Sequence, residues 1–383
     1  MRVARAVLIC IFAFAGLVNA QTSLQIQSIQ ANPDGSITIT WPVVPTWTYH
    51  VMYADVVDGS WQDFPDGQLT AGTNDSVLCY TDTSTVGVPQ RFYKIRRPLA
   101  QLVMTLVLDR SGSMNPIIGT TRGGAYLPGA VSDFIGLFGE TNNSVAMVSF
   151  ASTVTTDVPM TNLFQTAITT AASNLLYYGG TFSPGGLTNA LVQNNNAAVP
   201  PGQNALNVVV FFTDGRANMI QQTLSCGQIF NFGGYDMPDS GAGFFQTNAP
   251  VTETGQEDVR CSAPEDGQMS GPMCNGCSAN SYNSPLQGPG ALFSTDGITA
   301  DSEFECEQIA NQMRAQGMYV FCAGLGGAPI EPVNLTFLQQ VANDPNSPTF
   351  NPNQPVGQAV IANDPTALDA VFQQIASEIQ THQ

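Results

Sequence analysis

Residues 101–114 read Gln101-Leu102-Val103-Met104-Thr105-Leu106-Val107-Leu108-Asp109-Arg110-Ser111-Gly112-Ser113-Met114. A nearly unbroken apolar run without alternation describes a strand buried on both faces, as in a parallel sheet. The run ends in one carboxylate and two hydroxyls at alternate positions, Asp109, Ser111 and Ser113, with Gly112 letting the backbone turn sharply. Oxygen ligands on a tight loop suit a hard divalent cation such as magnesium, whereas zinc favours Cys or His.

Outward from this strand, further apolar runs at 145–150, 205–212 and 318–322 alternate with helical patterns at 129–138, 162–176, 186–193 and 301–316. A last helix over 366–380 follows Asn363-Asp364-Pro365, a cap with proline at the first helical position, and places Leu368, Val371, Phe372, Ile375 and Ile379 on one face. The alternation predicts an α/β domain with a doubly wound, mostly parallel sheet. In such sheets ligands bind beyond the carboxyl ends of the strands. A second strand end carries Thr213-Asp214-Gly215, and a glycine-rich stretch, Gly179-Gly180-Thr181, opens a helix. Asp109, Ser111, Ser113, Thr181 and Asp214 are therefore the expected metal-binding set, five oxygen ligands from three loops. Thr188 is the alternative to Thr181, but it sits inside the predicted helix without the preceding glycines.

These segments, in this order, resemble the metal-ion-dependent adhesion site of von Willebrand factor type A domains, over about residues 101–380. The resemblance implies that Ser111, Ser113 and Thr181 touch the metal through their hydroxyls. It implies that Asp109 and Asp214 act mainly through bound waters and hydrogen bonds. It further implies Mg2+ (or Mn2+ or Ca2+) with an open position for an acidic side chain, Asp or Glu, of a partner protein. In the family this binding is often coupled to a shift of the C-terminal helix.

Ahead of this domain, residues 21–98 show short alternating stretches, among them Ser36-Ile37-Thr38-Ile39-Thr40-Trp41, separated by turn clusters such as Asn32-Pro33-Asp34-Gly35. A small all-β sandwich is expected. Ile39-Thr40-Trp41-Pro42, Tyr49-His50-Val51-Met52-Tyr53 with Trp61, and Arg91-Phe92-Tyr93-Lys94-Ile95 resemble bacterial fibronectin type III-like modules. Trp41 and Trp61 are expected in the sandwich core rather than as a carbohydrate-binding pair. Arg96-Arg97-Pro98 reads as a linker. Residues 1–20 have two arginines, an apolar stretch and a Val18-Asn19-Ala20 end, the layout of a secretory signal peptide cleaved after Ala20. Export to the medium, periplasm or cell surface follows, without membrane insertion after cleavage.

The chain has 383 residues, a net charge of −18 and a single lysine, Lys94. With no basic patch it is not built for nucleic acid or anionic membranes. Seven cysteines follow the signal segment: Cys79, Cys226, Cys261, Cys274, Cys277, Cys306 and Cys322. In an oxidising compartment most should pair; Cys79 is the expected leftover, and Cys306 and Cys322 are expected to pair with each other or with the insertion. Four of the seven fall in residues 216–295, a stretch rich in Gly, Pro, Asn and Ser without clear periodicity, expected to be a large irregular insertion stapled by disulfides. A four-thiolate zinc site is the weaker alternative there.

The leading function is a metal-dependent protein-binding module for adhesion or surface assembly. A structural envelope protein stabilised by its metal, and a metal-dependent hydrolase, are the alternatives. Hydrolysis fares poorly because the only histidines are His50 and His382, outside the strand-end loops. There is no Gly-x-Ser-x-Gly nucleophile, and no carboxylate besides Asp109 and Asp214 stands out as a base. No catalytic residue is assigned.

Overall fold

The computed structural model describes residues 24–382 except 46, 57–59, 86, 98–99, 116–121, 201–202, 224–228, 234–242, 247–260, 263–282, 290–294 and 327–332. The expected signal peptide, and the pairing of Cys226, Cys274 and Cys277, lie outside these residues. The described chain divides into two compact units, one ending at Ala100 but including Val199–Ala205, the other made of Gln101–Ala198 and the residues from Leu206 onward.

The first unit is all β. Its strands are β1 (Ser28–Ala31), β2 (Ile37–Pro42), β3 (Thr48–Ala54), β4 (Gln62–Thr70), β5 (Val77–Asp82) and β6 (Phe92–Arg96). They form two antiparallel sheets, ordered β1-β2-β5 and β4-β3-β6. Alternation puts Ile39 and Trp41 of β2 and Tyr49 and Val51 of β3 inside, with Trp41 and Tyr49 meeting edge to face at 6.4 Å. Trp61 is only partly buried and lies 5.9 Å from the Lys94 ammonium. The two sheets are joined by a buried ionic cluster. Asp82 at the end of β5 takes hydrogen bonds from Arg91 (3.0 Å) and from the Tyr93 hydroxyl of β6 (2.9 Å), while Arg91 stacks on Tyr53 of β3. Burial by itself would raise the Asp82 carboxyl. The Ser84 and Arg91 hydrogen bonds outweigh it and hold the group below its ordinary value.

The second unit is built on one six-stranded sheet. In chain order its elements are β7 (Gln101–Asp109), α1 (Leu127–Gly136), β8 (Ser144–Phe150), β9 (Val154–Thr161), α2 (Gln165–Ser173), α3 (Ser183–Asn195) and β10 (Ala205–Thr213). Then come the short strands β11 (Met219–Thr223), β12 (Ile229–Gly233), β13 (Gly243–Gln246), β14 (Cys261–Ser262), β15 (Asn283–Ser284) and β16 (Gly288–Pro289). The chain closes with α4 (Thr295–Ala315), β17 (Tyr319–Leu325), α5 (Leu335–Ala342), β18 (Ala359–Ala362) and α6 (Leu368–His382).

The main sheet has the order β18-β17-β10-β7-β8-β9. Pairs β7/β8, β10/β17 and β17/β18 are parallel, and the edge strand β9 runs antiparallel to β8, with two register shifts. Every residue of β7 is buried, as its unbroken apolar run requires. Helices cover both faces: α1 packs on α2 and α6, and α3 and α5 both pack on α4. On one side Phe372 of α6 meets Phe134 of α1 and Phe212 of β10, at 5.4 and 5.9 Å. On the other, Phe211 stacks on Phe150 at 5.7 Å and meets Phe337 of α5. Gly186 lets α3 lie close to the sheet, since a Cβ there would come within 2.8 Å of the Phe150 ring. The buried Asn194 side chain ties the same helix to β7 through Thr105 and to β10 through the Val208 carbonyl.

Two expectations need correction. The insertion is not wholly irregular: β11-β12-β13-β14 form an antiparallel sheet and β15-β16 a hairpin. Backbone pairing there supplies order that a Gly- and Asn-rich sequence conceals. Cys306 on α4 and Cys322 on β17 are buried free thiols within one apolar cluster, not half-cystines. Burial, the largest influence on each, raises both thiols above their ordinary value, so they are packed as small apolar side chains.

Removing Asp82 should leave Arg91 with only the exposed Asp55 as an ion-pair partner and the Tyr93 hydroxyl without its acceptor. Asp82→Ala is expected to cost about 2 kcal/mol in chemical denaturation of the first unit. Because the native carboxyl is held low, this stability is present above the ordinary carboxylate range and is lost as pH falls through the native value. A wild-type unit that keeps its full stability down to pH 2 would count against the assignment.

Candidate functional site

β7 and β10 are neighbours in the sheet, yet the chain runs from β7 outward through β8 to β9 before returning to β10 and continuing to β17 and β18 on the other side. This reversal of winding is the place where loops diverge and leave a crevice at the strand ends. Asp109 is the last residue of β7, and Asp214 directly follows β10. Both are buried, at 0% and 4% exposure.

A continuous chain of hydrogen bonds links the two carboxylates. The Ser111 N–H donates to Asp109 Oδ1 at 2.7 Å, and the Ser111 and Ser113 hydroxyls lie 2.9 Å apart. Ser113 Oγ donates to Asp214 Oδ1 at 2.7 Å. From the other strand, Thr213 Oγ1 donates to Asp109 Oδ2 at 2.6 Å. Four of the five sequence-predicted residues thus form one polar cluster. Ser111 has extended backbone, and the short turn Gly112–Met114 folds its hydroxyl neighbour Ser113 back toward Asp214.

Thr181 is brought to the same edge by its backbone. The Tyr178 N–H donates to the Arg110 carbonyl, and the Gly112 N–H to the Gly179 carbonyl at 2.9 Å. Thr181 N–H donates to Asn218 Oδ1 at 2.8 Å, and the Asn218 N–H returns the bond to the Thr181 carbonyl. The Gly-rich loop is therefore sewn on one side to the Asp109 loop and on the other to the segment after Asp214. Gly179 adopts a positive φ of 73°, which explains a glycine there. Thr181 is 4% exposed, whereas Thr188 is exposed on α3.

Several residues that shape the site have no signature in the sequence. Thr213 and Asn218 act across long sequence separations; only the position of Thr213 beside Asp214 could have pointed to it. Arg110 turns away from the carboxylates, bonding Ser149 Oγ and stacking on Tyr178 at 4.8 Å, so that it braces the loop. Arg122 bonds the Ser113 carbonyl at 2.8 Å. The buried Tyr177 hydroxyl has no hydrogen-bond partner, and burial followed by the Asp109 charge raises its pKa.

The electrostatics show what the cluster lacks. Burial raises the Asp109 carboxyl above its ordinary value, against the pull of its hydroxyl and amide donors. Burial, then the charge of Asp109, pushes Asp214 up to about 8, with Ser113 and Arg122 opposing. Neither carboxylate has an ion pair among the described residues. Two buried carboxylates, flanking hydroxyls and an unpartnered phenol make a donor set that a hard divalent cation fits. Among the described residues no three His, Cys, Asp or Glu side chains form a metal cluster, because hydroxyls make up most of this set.

A family model, the von Willebrand factor type A domain, matches residues 104–228. Among solved structures, the PilB minor pilin from Streptococcus sanguinis is 14% identical, with 92% of this chain and 77% of that one covered at a TM-score of 0.48. The vWF domain of the type V pili tip protein Mfa5 from Porphyromonas gingivalis is 14% identical, with 74% and 96% covered and a TM-score of 0.45. Proximal thread matrix protein 1 from the mussel byssus, with a zinc-occupied MIDAS motif, is 13% identical, with 73% and 46% covered and a TM-score of 0.37. Likeness at this level carries nothing about the chemistry of the site. No curated protein matches the chain.

The raised Asp214 has a consequence for the metal-free protein. A carboxyl whose native pKa lies above its unfolded value near 3.8 weakens the fold progressively as pH rises toward about 8. In chelator, Asp214→Asn is expected to unfold at the same temperature as wild type near pH 4 and to be the more stable of the two, by at least about 1 kcal/mol, at pH 8. Equal melting temperatures at pH 8 would contradict the assigned cause.

Proposed function

Residues 104–228 are a von Willebrand factor type A domain, and from that premise we propose that the chain is an exported, metal-dependent protein-binding module for adhesion or surface assembly. Asp109, Ser111, Ser113, Thr181 and Asp214 hold a hard divalent cation, Mg2+ or in its place Mn2+ or Ca2+. The observation that carries this reading is the pair of buried carboxylates at adjacent strand ends, bridged by Ser111 and Ser113 and lacking an ion-pair partner among the described residues. When bound, the cation supplies an electrophilic position that an Asp or Glu carboxylate of a partner protein fills.

The chain's own residues do the positioning. Thr213 and the Ser111 amide fix both oxygens of Asp109. Ser113 is oriented by Asp214 on one side and, through its carbonyl, by Arg122 on the other. Asn218 keeps the Thr181 loop at the cluster. No His lies in these loops, so the site is read as one for binding rather than hydrolysis. Export rests on the leader-like residues 1–20, and the N-terminal unit is taken as a fibronectin type III-like spacer. The 216–295 insertion begins two residues after Asp214; it walls the site and selects the partner.

The test is affinity capture of surface and matrix proteins with Mg2+ and with chelator, using wild type, Asp109→Ala and Ser113→Ala. Capture should fall at least tenfold in chelator and in both variants, while circular dichroism stays native. Unfolding of the variants with no change in capture by the folded fraction would instead assign the metal a structural role. Deleting the insertion should change which proteins are captured and leave Mg2+ affinity in calorimetry intact; an unchanged set of partners would refute its selective role.

A further inference from the structure

Behind the Gly-rich loop lies a second concavity of about 610 Å³, between α3, the edge strand β9, β11 and α4. None of the five proposed metal residues lines it. Phe182 is its buried apolar side chain and the exposed Val192 lies at its rim, while Thr188, Asn189, Gln193, Gln221 and one carboxylate, Glu305, also line it. No Lys, Arg or His is among the described lining residues.

The polar walls are not equivalent. Asn189 exchanges hydrogen bonds with Thr156 at 3.0–3.1 Å and accepts one from Gln193 at 3.3 Å, and Gln193 Oε1 in turn accepts from the Met160 N–H. These amides are satisfied by one another. Glu305 Oε2, by contrast, is buried and has no hydrogen-bond partner. Burial, and then Asp301 one turn earlier on α4, push the Glu305 carboxyl up to about 7. The neighbouring Glu303 is neutralised by Arg216 at 2.9 Å, and the Asp301 carboxylate takes its bonds from Ser284 and the Leu286 amide. Glu305 thus lines the pocket with a carboxylate that has one oxygen shielded and unbonded, in a negative local field, with no cation among the described lining residues. A carboxylate in that state is stabilised by a donor, and most of all by a cationic one.

We propose that this pocket binds a primary ammonium group, with the ammonium on Glu305 and its alkyl stem along Phe182 and Val192. A lysine side chain of a partner protein and a small free alkylamine share that chemistry. The site is separate from the metal site and does not need the cation.

Titration of the full chain in chelator with n-butylammonium, followed by calorimetry and by shifts of the pocket methyl resonances, tests this. Saturable binding is expected, at least tenfold tighter than any effect of sodium chloride at equal ionic strength. Glu305→Gln should weaken it at least tenfold. Thr188→Phe, a change at an exposed helical position that fills the mouth, should do the same without touching Glu305. Asp109→Ala should leave amine binding unchanged, so failure of the metal-site reading and failure of this one are distinguishable. An acetylated, amidated Gly-Lys-Gly peptide binding at least as well as butylammonium assigns the lysine source; butylammonium binding alone assigns a small amine. Binding of methyl α-glucoside in place of either amine, or butylammonium binding that survives both Glu305→Gln and Thr188→Phe, would overturn the proposal.

Discussion

Two carboxylates buried side by side repel one another, and the second unit is arranged around that fact. Asp109 and Asp214 stand at adjacent strand ends because β7 and β10 are neighbours across the reversal in winding order. Burying both is tolerable because both oxygens of Asp109 and Oδ1 of Asp214 each have a donor aimed at them. Thr213, Ser111 and Ser113 supply those donors. The double sewing of the Gly-rich loop then fixes the third side of the cluster. Moving any one of these loops would leave buried oxygens without partners, so the strand order, the sharp turn at Gly112 and the positive φ at Gly179 are parts of one electrostatic solution.

The second unit was legible where its chemistry is local. An apolar run such as 102–108 can hardly be anything but a doubly covered strand, and Asp364 before Pro365 does accept a bond from the Thr366 amide and start the final helix. The reversal between β7 and β10 brings Asp109 and Asp214 together, so knowing the sheet type was enough to anticipate their meeting. What escaped notice has a common cause. Strand β9 carries Thr, Asp and Pro on an edge, where one side faces no neighbour, and so lacks a buried strand's pattern. Helix α5 spans only Leu335–Ala342, and β18 only Ala359–Ala362, too short for a period to declare itself.

Tertiary partners are the other hidden layer. Nothing near Asn218 marks it as the clasp of a loop 37 residues earlier, and Thr213 reaches a carboxylate 104 residues away. The thiols show the opposite error, where a compartment argument predicted bonding that geometry does not provide. Cys306 and Cys322 are chosen for volume, filling the interface of α4 and the sheet among Met313, Val320 and Phe337. In a protein exposed to oxidants, a fully buried thiol is kinetically shielded, so oxidising surroundings need not convert it into a crosslink.

The first unit carries a peculiarity of chain connectivity that bears on how the protein can be divided. Thr48, on β3, gives its buried N–H to the Asn204 side chain at 2.7 Å, and its carbonyl accepts from the same amide at 3.1 Å. Asn204 arrives only after α3, so the all-β unit is a discontinuous domain, closed by residues translated long after its last strand. A fragment truncated at the Arg96-Arg97-Pro98 linker would expose an unsatisfied peptide group in its interior. On the ribosome, the same unit must wait for about a hundred further residues before it is complete.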